Sequence, residues 1–314
     1  MKFAMPTPAQ AHSGLRAMKS VALADGALSP VERAMMISVQ EIFGTEYDID
    51  ALDPIEPDAL AEAIPDPQLR TQLTSGLVVM SLIDEVADDR EADKVAEFAA
   101  ALGVHNREVK NLRQLADGHT RLARFDIVRH FWAVARVRER IRDEGLHVLW
   151  QSIQAVRNQY NNPEMAARYR ALGEFEPGTL GHEYYQYIIK NEFSFPGEIG
   201  AGPETITYHD MTHVLGEYDT TPEDEILVAS FTAGFREQNP FAMVMFVMCQ
   251  FHLGLPIGPG VPPSTGLFRP AEVIKAIQRG AAMNTDLSSG WEYWDVIEEP
   301  VAALRERYNI APRA

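Results

Sequence analysis

One cysteine, Cys249, stands in 314 residues. It excludes an intramolecular disulfide and a cysteine-rich zinc site, and its place in the apolar run 241–249 reads as a small buried hydrophobe. Long hydrophobic runs are missing as well. No window offers the ~18 apolar residues of a membrane span, and the run 241–249 that comes nearest stops at Gln250. The opening MKFAMPTPAQAHSG lacks the apolar core of a signal peptide. Positive charge is scarce: 28 Lys and Arg face 45 Asp and Glu, a net of −17. That excludes a nucleic-acid-binding surface, since phosphates need clustered Lys and Arg. It also argues against purely electrostatic docking on anionic lipid. These absences point to a cytoplasmic chain, or one peripheral on the inner face of a membrane.

What is present is an ordinary globular composition, 46% hydrophobic and 23% charged, long enough for about two domains. The charge is uneven. Residues 1–118 hold 10 basic and 20 acidic side chains, a net of −10, against −7 for the remainder. A boundary is therefore expected near Asp117-Gly118-His119, giving units 1–118 and 119–314. Apolar residues recur at helical spacing throughout and no strand pattern rises above noise, so the fold class is all-α.

In the first unit, apolar spacing from Leu15 predicts one helix, and Ser29, Pro30 and Glu32 spell a capping box opening a second that ends at Gly44. Residues 45–68, with four prolines, read as loop with a short helix at 57–63. Further helices are expected at 69–86 and 89–102. In the second unit the spacing predicts helices at 122–142, 146–160, 163–172, 180–190, 207–216, 222–238, 240–253, 270–283 and 300–308. The first of these carries Arg121, Arg124, Arg129, Arg136, Arg138, Arg140 and Arg142, which read as a solvated face pairing with the acidic unit. The run 241–249, FAMVMFVMC, is apolar all round. It suits a core helix or the wall of a groove for a flexible apolar ligand, with Tyr184, Phe241, Met245 and Met248 as candidate lining residues. The Gly/Pro-rich apolar stretch 253–268 reads as a gating or membrane-contacting segment, or as a rigid connector.

In the first unit the pattern ADGALSPVE, followed by DEVADDREAD and ALGV, resembles the TerB-like domain over residues ~14–116. That family is a small helical bundle associated with tellurite resistance and bacterial stress systems. The resemblance implies a metal held at its two acidic turns, here by Asp25, Glu32, Asp84, Asp88 and Asp89. The same residues read locally as turn formers and a capping residue. Asp84-Glu85-Val86-Ala87-Asp88-Asp89 also looks like the aspartate-rich motif of prenyl-diphosphate enzymes, but no second such motif or diphosphate-binding set accompanies it.

The chemistry concentrates at Tyr208-His209-Asp210-Met211-Thr212-His213. A spacing of four puts both imidazoles on one helix face, and Asp210, three before His213, is expected in the same sector. Imidazole nitrogen with carboxylate oxygen is a donor set that zinc and other first-row divalent metals accept. In the zincin pattern Glu, not Asp, follows the first His. After His213 come eleven residues and then Glu225, near the start of a helix that Thr221 caps and Pro222 opens. Loop 216–220 lets that helix fold back, so that His209, Asp210, His213 and Glu225 can form a four-ligand site. Asp210 or Glu225, when not ligating, is the candidate acid/base.

H-D-x-x-H followed by eleven residues and Glu resembles the signature of the coenzyme Q biosynthesis family called Coq-four. Gly178-Thr179-Leu180-Gly181-x-x-Tyr184 is similar to that family's Gly-x-Leu-Gly-x-x-Tyr segment. The resemblance covers residues ~120–314. Thr205-Ile206-Thr207-Tyr208 departs from the basic Arg-Tyr-Arg stretch usual before the motif, and the acidic first unit lies outside the family's pattern. The resemblance implies an all-helical, often dimeric, membrane-peripheral protein. It implies Zn2+, or Fe2+, Co2+ or Mn2+ in its place, beside an apolar groove for a polyprenylated quinone precursor or isoprenoid lipid. It further implies other quinone-biosynthesis proteins as partners, and oxidative removal of the ring carboxylate with hydroxylation at that carbon. A non-catalytic isoprenoid-binding scaffold and a TerB-type stress-response interaction protein are the alternatives.

Overall fold

A computed structural model describes residues 3–130, 160–258 and 261–313. Among them the chain is all-α: helices joined by turns and three short 3-10 segments, with no strand beyond two isolated bridges. The expected helices within 131–159 lie outside the described residues. No helix is long and apolar enough to cross a membrane among the residues described.

Helix starts follow the capping chemistry closely. α1 (Pro8–Ala22) begins a full turn and more before Leu15, because Thr7 and Gln10 form a capping box ahead of it. α2 (Pro30–Ile42) opens on the expected Ser29–Glu32 box, and Gly44 follows it with φ +63°. α3 (Pro57–Ala63) is as expected. α4 (Pro67–Met80) starts on the Asp66 cap and stops six residues short of the expected end. Leu82 and Ile83 keep the apolar rhythm, but the chain leaves the helix there. The Asp84 carboxylate accepts the Val86 N–H at 3.2 Å, and Glu85 turns left-handed with φ +71°. α5 (Asp89–Ala101) then starts from the Asp88 cap.

α6 (Arg107–Ala116), capped by Asn106, escaped the sequence reading because only Leu112 and Leu115 of its apolar residues are fully buried. α7 is Thr120–His130, so the joint expected near residue 118 falls in the turn between α6 and α7. Then come α8 (Pro163–Arg170), α9 (Leu180–Lys190), α10 (Thr207–Gly216), α11 (Pro222–Phe235), α12 (Phe241–Phe251), α13 (Pro270–Ala281) and α14 (Val301–Arg307). The last four end two or three residues earlier or start one later than their spacing suggests, since helix periodicity does not mark fraying ends.

Two glycines set the closest helix crossing. A Cβ on Gly234 of α11 would sit 2.1 Å from the Ile277 carbonyl, and one on Gly280 of α13 would sit 1.9 Å from the Phe231 carbonyl. The backbones of α11 and α13 therefore touch, and any larger side chain would drive them apart. α13 also packs on α2, and α12 on α6 and α7. Buried apolar residues of both charge-defined units thus belong to one cluster. Buried His252 links them further. Its Nε2–H donates to the Ile83 carbonyl at 2.8 Å, while its Nδ1 accepts the Phe268 N–H at 3.3 Å.

Candidate metal centre

α9, α10 and α11 build the centre. Thr179 caps α9 by accepting the His182 N–H, and Thr221 caps α11 by accepting the Asp224 N–H. Between α10 and α11 the chain must reverse within five residues. Glu217 does this in the left-handed region, φ +59° and ψ +38°, a conformation that is strained for a residue with a Cβ. The reversal swings the Tyr218 and Asp219 carbonyls back onto His213, whose Nδ1 lies 3.3 Å and 3.0 Å from them. Nδ1–H donates there, which leaves the Nε2 lone pair free to face inward.

That lone pair meets two other donors. His213 Nε2 lies 3.3 Å from His209 Nε2 and 3.5 Å from Glu225 Oε1, and His209 Nε2 lies 3.4 Å from Glu225 Oε2. In a tetrahedral site with metal–ligand bonds of ~2.0–2.1 Å, neighbouring donor atoms stand about 3.3 Å apart. The two imidazole nitrogens are spaced as neighbouring ligands, each meets a different Glu225 oxygen at a similar distance, and one ligand atom of each of the three side chains lies within 4.8 Å of the others. Among the described residues no other group of three such side chains converges this way. The His213 side chain is fully buried, while His209 and Glu225 keep 16% and 26% exposure, which opens the centre on their side. Tyr187 of α9 lies against the His213 ring, centroids 5.5 Å apart.

Electrostatics treat the three side chains differently. Burial drives the His213 imidazole down to about 4, which keeps it neutral. Burial also opposes charge on His209, but the Glu225 carboxylate outweighs it and raises that ring above its ordinary value. Glu225 pays the converse: burial would raise it, and its contacts with His209 and His213 hold it low.

Asp210 stands apart from this trio. It follows His209 by one residue, and so turns about 100° around the helix axis, away from the ligand face. Spacing alone had placed it in the same sector. The structure groups His209, His213 and Glu225 without it. Its carboxyl is pushed up to about 7, chiefly by burial, with Glu225 adding repulsion and His209 opposing. Its charge also bears on the phenols of Tyr184 and Tyr187, both raised first by burial and then by Asp210. A carboxyl poised near neutrality one residue from His209 is a candidate proton carrier.

Other expected residues fall elsewhere. Tyr184 is fully buried on α9, but Phe241 lines an apolar cavity between α1, α2, α4 and α13. Met245 faces a cavity shared with Asn106, Glu108 and Asn111, and Met248 is buried in the core. None of the three α12 side chains lines the cleft beside His213. That cleft, of about 580 Å³, is walled by Glu183, Tyr187, Lys190, Tyr218 and Arg305. The acidic residues of the first unit each close their own turn. Asp25 accepts the Ala27 N–H, Glu32 the Ser29 N–H, Asp84 the Val86 N–H and Asp88 the Arg90 N–H, with Arg90 also paired to Asp88. Their charges reach one another, Asp84 being raised by burial and then by Asp25 and Asp88, but among the described residues no three of them group as His209, His213 and Glu225 do. Of the arginines expected as a basic face, Arg121 and Arg124 are exposed on α7; those beyond residue 130 lie outside the described residues.

Sequence reading missed the three arginines that hold the reversal. Arg305 donates to the Val214 and Leu215 carbonyls, Arg279 to that of Gly216 and Arg313 to that of Glu217. Together they satisfy the carbonyls left open at the end of α10. Arg313 also grips Asp224 through both guanidinium nitrogens, and Asp224 accepts the Asp219 N–H at 2.6 Å. Their signal is a run of carbonyls at a helix end, which spacing in the sequence cannot show.

No family model matches the chain, and neither does any curated protein or solved structure.

Proposed function

We propose that this chain is a divalent-metal-dependent enzyme acting on the ring of a polyprenylated quinone precursor, with His209, His213 and Glu225 as the metal ligands. One observation supports the metal: two imidazoles of α10 and a carboxylate of α11 converge, one ligand atom of each within 4.8 Å of the others, with the His213 tautomer fixed from behind. Two imidazoles and one carboxylate suit Zn2+ and equally Fe2+, with Co2+ or Mn2+ also accommodated. When bound, the ion supplies Lewis-acid polarisation of a ring carboxylate or phenolate, and iron would add redox capacity. The substrate class is supported by the H-D-x-x-H-x11-E spacing and its resemblance to the Coq-four family.

The chain's own residues then divide the work. Tyr187 packs against His213 and walls the cleft. Asp210 holds or releases a proton near neutral pH beside the ligands. The reaction proposed is oxidative decarboxylation with hydroxylation of the ring by dioxygen: the carboxylate leaves as CO2, one oxygen atom becomes the ring hydroxyl, and the other is reduced to water by two electrons and two protons from an external two-electron donor. The test is conversion of a prenylated hydroxybenzoate-type precursor by purified protein loaded in turn with Zn2+ and Fe2+. Turnover is expected from the wild type, none from His213→Ala, and a loss of about 10²-fold or more from Asp210→Asn with its metal retained. If His213→Ala still converts the precursor and only assembly with other quinone-biosynthesis proteins fails, the protein is a scaffold and the enzyme reading falls.

A further inference from the structure

A second site, separate from the metal centre and independent of that reading, lies where the first unit meets α12 and α13. A cavity of about 100 Å³ opens among α1, α2, α4, α12 and α13, walled by Met18, Val39, Leu73, Phe241, Val273 and Ile277. Two glycines leave it hollow. Gly14 and Gly76 sit inside α1 and α4, where glycine is unfavourable relative to alanine. A Cβ on Gly76 would meet nothing within 4 Å, and one on Gly14 would touch only Leu73, at 3.5 Å. These helices therefore forgo side chains at the positions that would have filled the space.

Nothing polar is aimed into it. Of the wall's two polar side chains, Gln10 accepts the Thr7 N–H. Gln72 accepts the Ala4 N–H at 2.8 Å and donates to the Ala4 carbonyl at 3.0 Å. A dry apolar cavity of this order accepts hydrocarbon: an engineered one of ~150 Å³ takes benzene. The same Gln72 bonds pin a non-helical strap, residues 3–6, which adds Phe3 and Pro6 to the cavity wall, and Phe3 stacks on Phe43 with centroids 6.0 Å apart. Releasing the strap breaks the two Gln72 hydrogen bonds and the apolar contacts of Phe3 and Ala4, without unfolding a helix.

We propose that this cavity binds the end of a hydrocarbon chain, acyl or prenyl, which enters past the residue 3–6 strap. The size admits the terminal segment of a tail, with the polar head left outside.

The test uses the full chain and cis-parinaric acid, a fluorescent fatty acid. Saturable binding of one probe per chain is expected. Displacement by geranylgeraniol in preference to palmitate identifies a prenyl site, and the reverse an acyl site. Gly76→Leu, which fills the space, should weaken binding at least about tenfold and leave the melting temperature unchanged or raised. If that variant does not fold, Gly76→Ala should give a smaller loss with a higher melting temperature. His213→Ala should bind the probe as the wild type does. Absence of saturable binding, displacement by neither lipid, undiminished binding by the folded Gly76 variant, or loss of binding in His213→Ala would each overturn the proposal.

Discussion

Glu32 and Glu91 lie buried against each other beneath the first turns of α2 and α5, and Glu91 Oε1 has no hydrogen-bond partner. Burial, reinforced by the charges of Glu32 and Asp84, pushes the Glu91 carboxyl up to about 9 from an ordinary 4.5. Because the folded value lies above the unfolded one, the stability this group contributes is intact below about pH 4.5 and drains away as pH rises toward 9. Glu91→Gln keeps the shape and removes the ionisation. Its melting temperature should exceed that of the wild type by several degrees at pH 8, with the gain vanishing near pH 4. A variant less stable than the wild type at pH 8 would show Glu91 to be ionised and paired. At this scale legibility was uneven. Ser29 and Glu32 were readable as a cap because a capping box is a local pattern, and His209, His213 and Glu225 because their spacing fixes a face. Asp210 was misplaced by counting back from His213 when the nearer ligand, one residue before it, set its direction. Glu91 was invisible, since its partner lies 59 positions away in the chain.

α10 delivers both imidazoles, yet its C-terminus is what sets their geometry. The Glu217 reversal presents the Tyr218 and Asp219 carbonyls to His213, and Arg279, Arg305 and Arg313 hold the carbonyls of residues 214–217 in place. Groups that orient a ligand from behind typically govern about 10–100-fold of metal affinity. Arg305→Ala should therefore weaken Zn2+ binding by about tenfold in a chelator competition, with the helix content unchanged and partial rescue by Arg305→Lys. Unaltered affinity would confine Arg305 to packing. Helix starts were legible where a cap was read, at Ser29, Thr179 and Thr221, and not at Thr7 or Asn106, which also accept a backbone N–H at an N-cap. Helix ends were not legible. Apolar rhythm ran past Met80 into a turn whose shape depends on Asp84 and on the His252 bond to Ile83. The side chains expected to line a groove along α12 divide between Phe241 at one cavity, Met245 at another and Met248 in the core, because an all-apolar helix does not say which neighbour it faces.

The whole molecule joins an acidic first unit to the metal-bearing remainder through apolar contact. α2 packs on α13, and His252 reaches across to Ile83. Deleting residues 1–118 would bare the α13 face and strand the His252 Nε2–H. The fragment 119–314 should melt at least about 10 °C below the full chain or precipitate. A fragment as stable as the full chain would show that the charge boundary is also a folding boundary. The net charge of −17 favours solubility and says little of the centre itself, where three donor atoms decide the chemistry. The most direct test of that centre weighs the intact chain: elemental analysis with native mass spectrometry of the wild type and of His213→Ala. One divalent metal ion per wild-type chain and none in the variant is the expected result. A wild type without stoichiometric metal, or a variant that keeps it, would contradict the assignment.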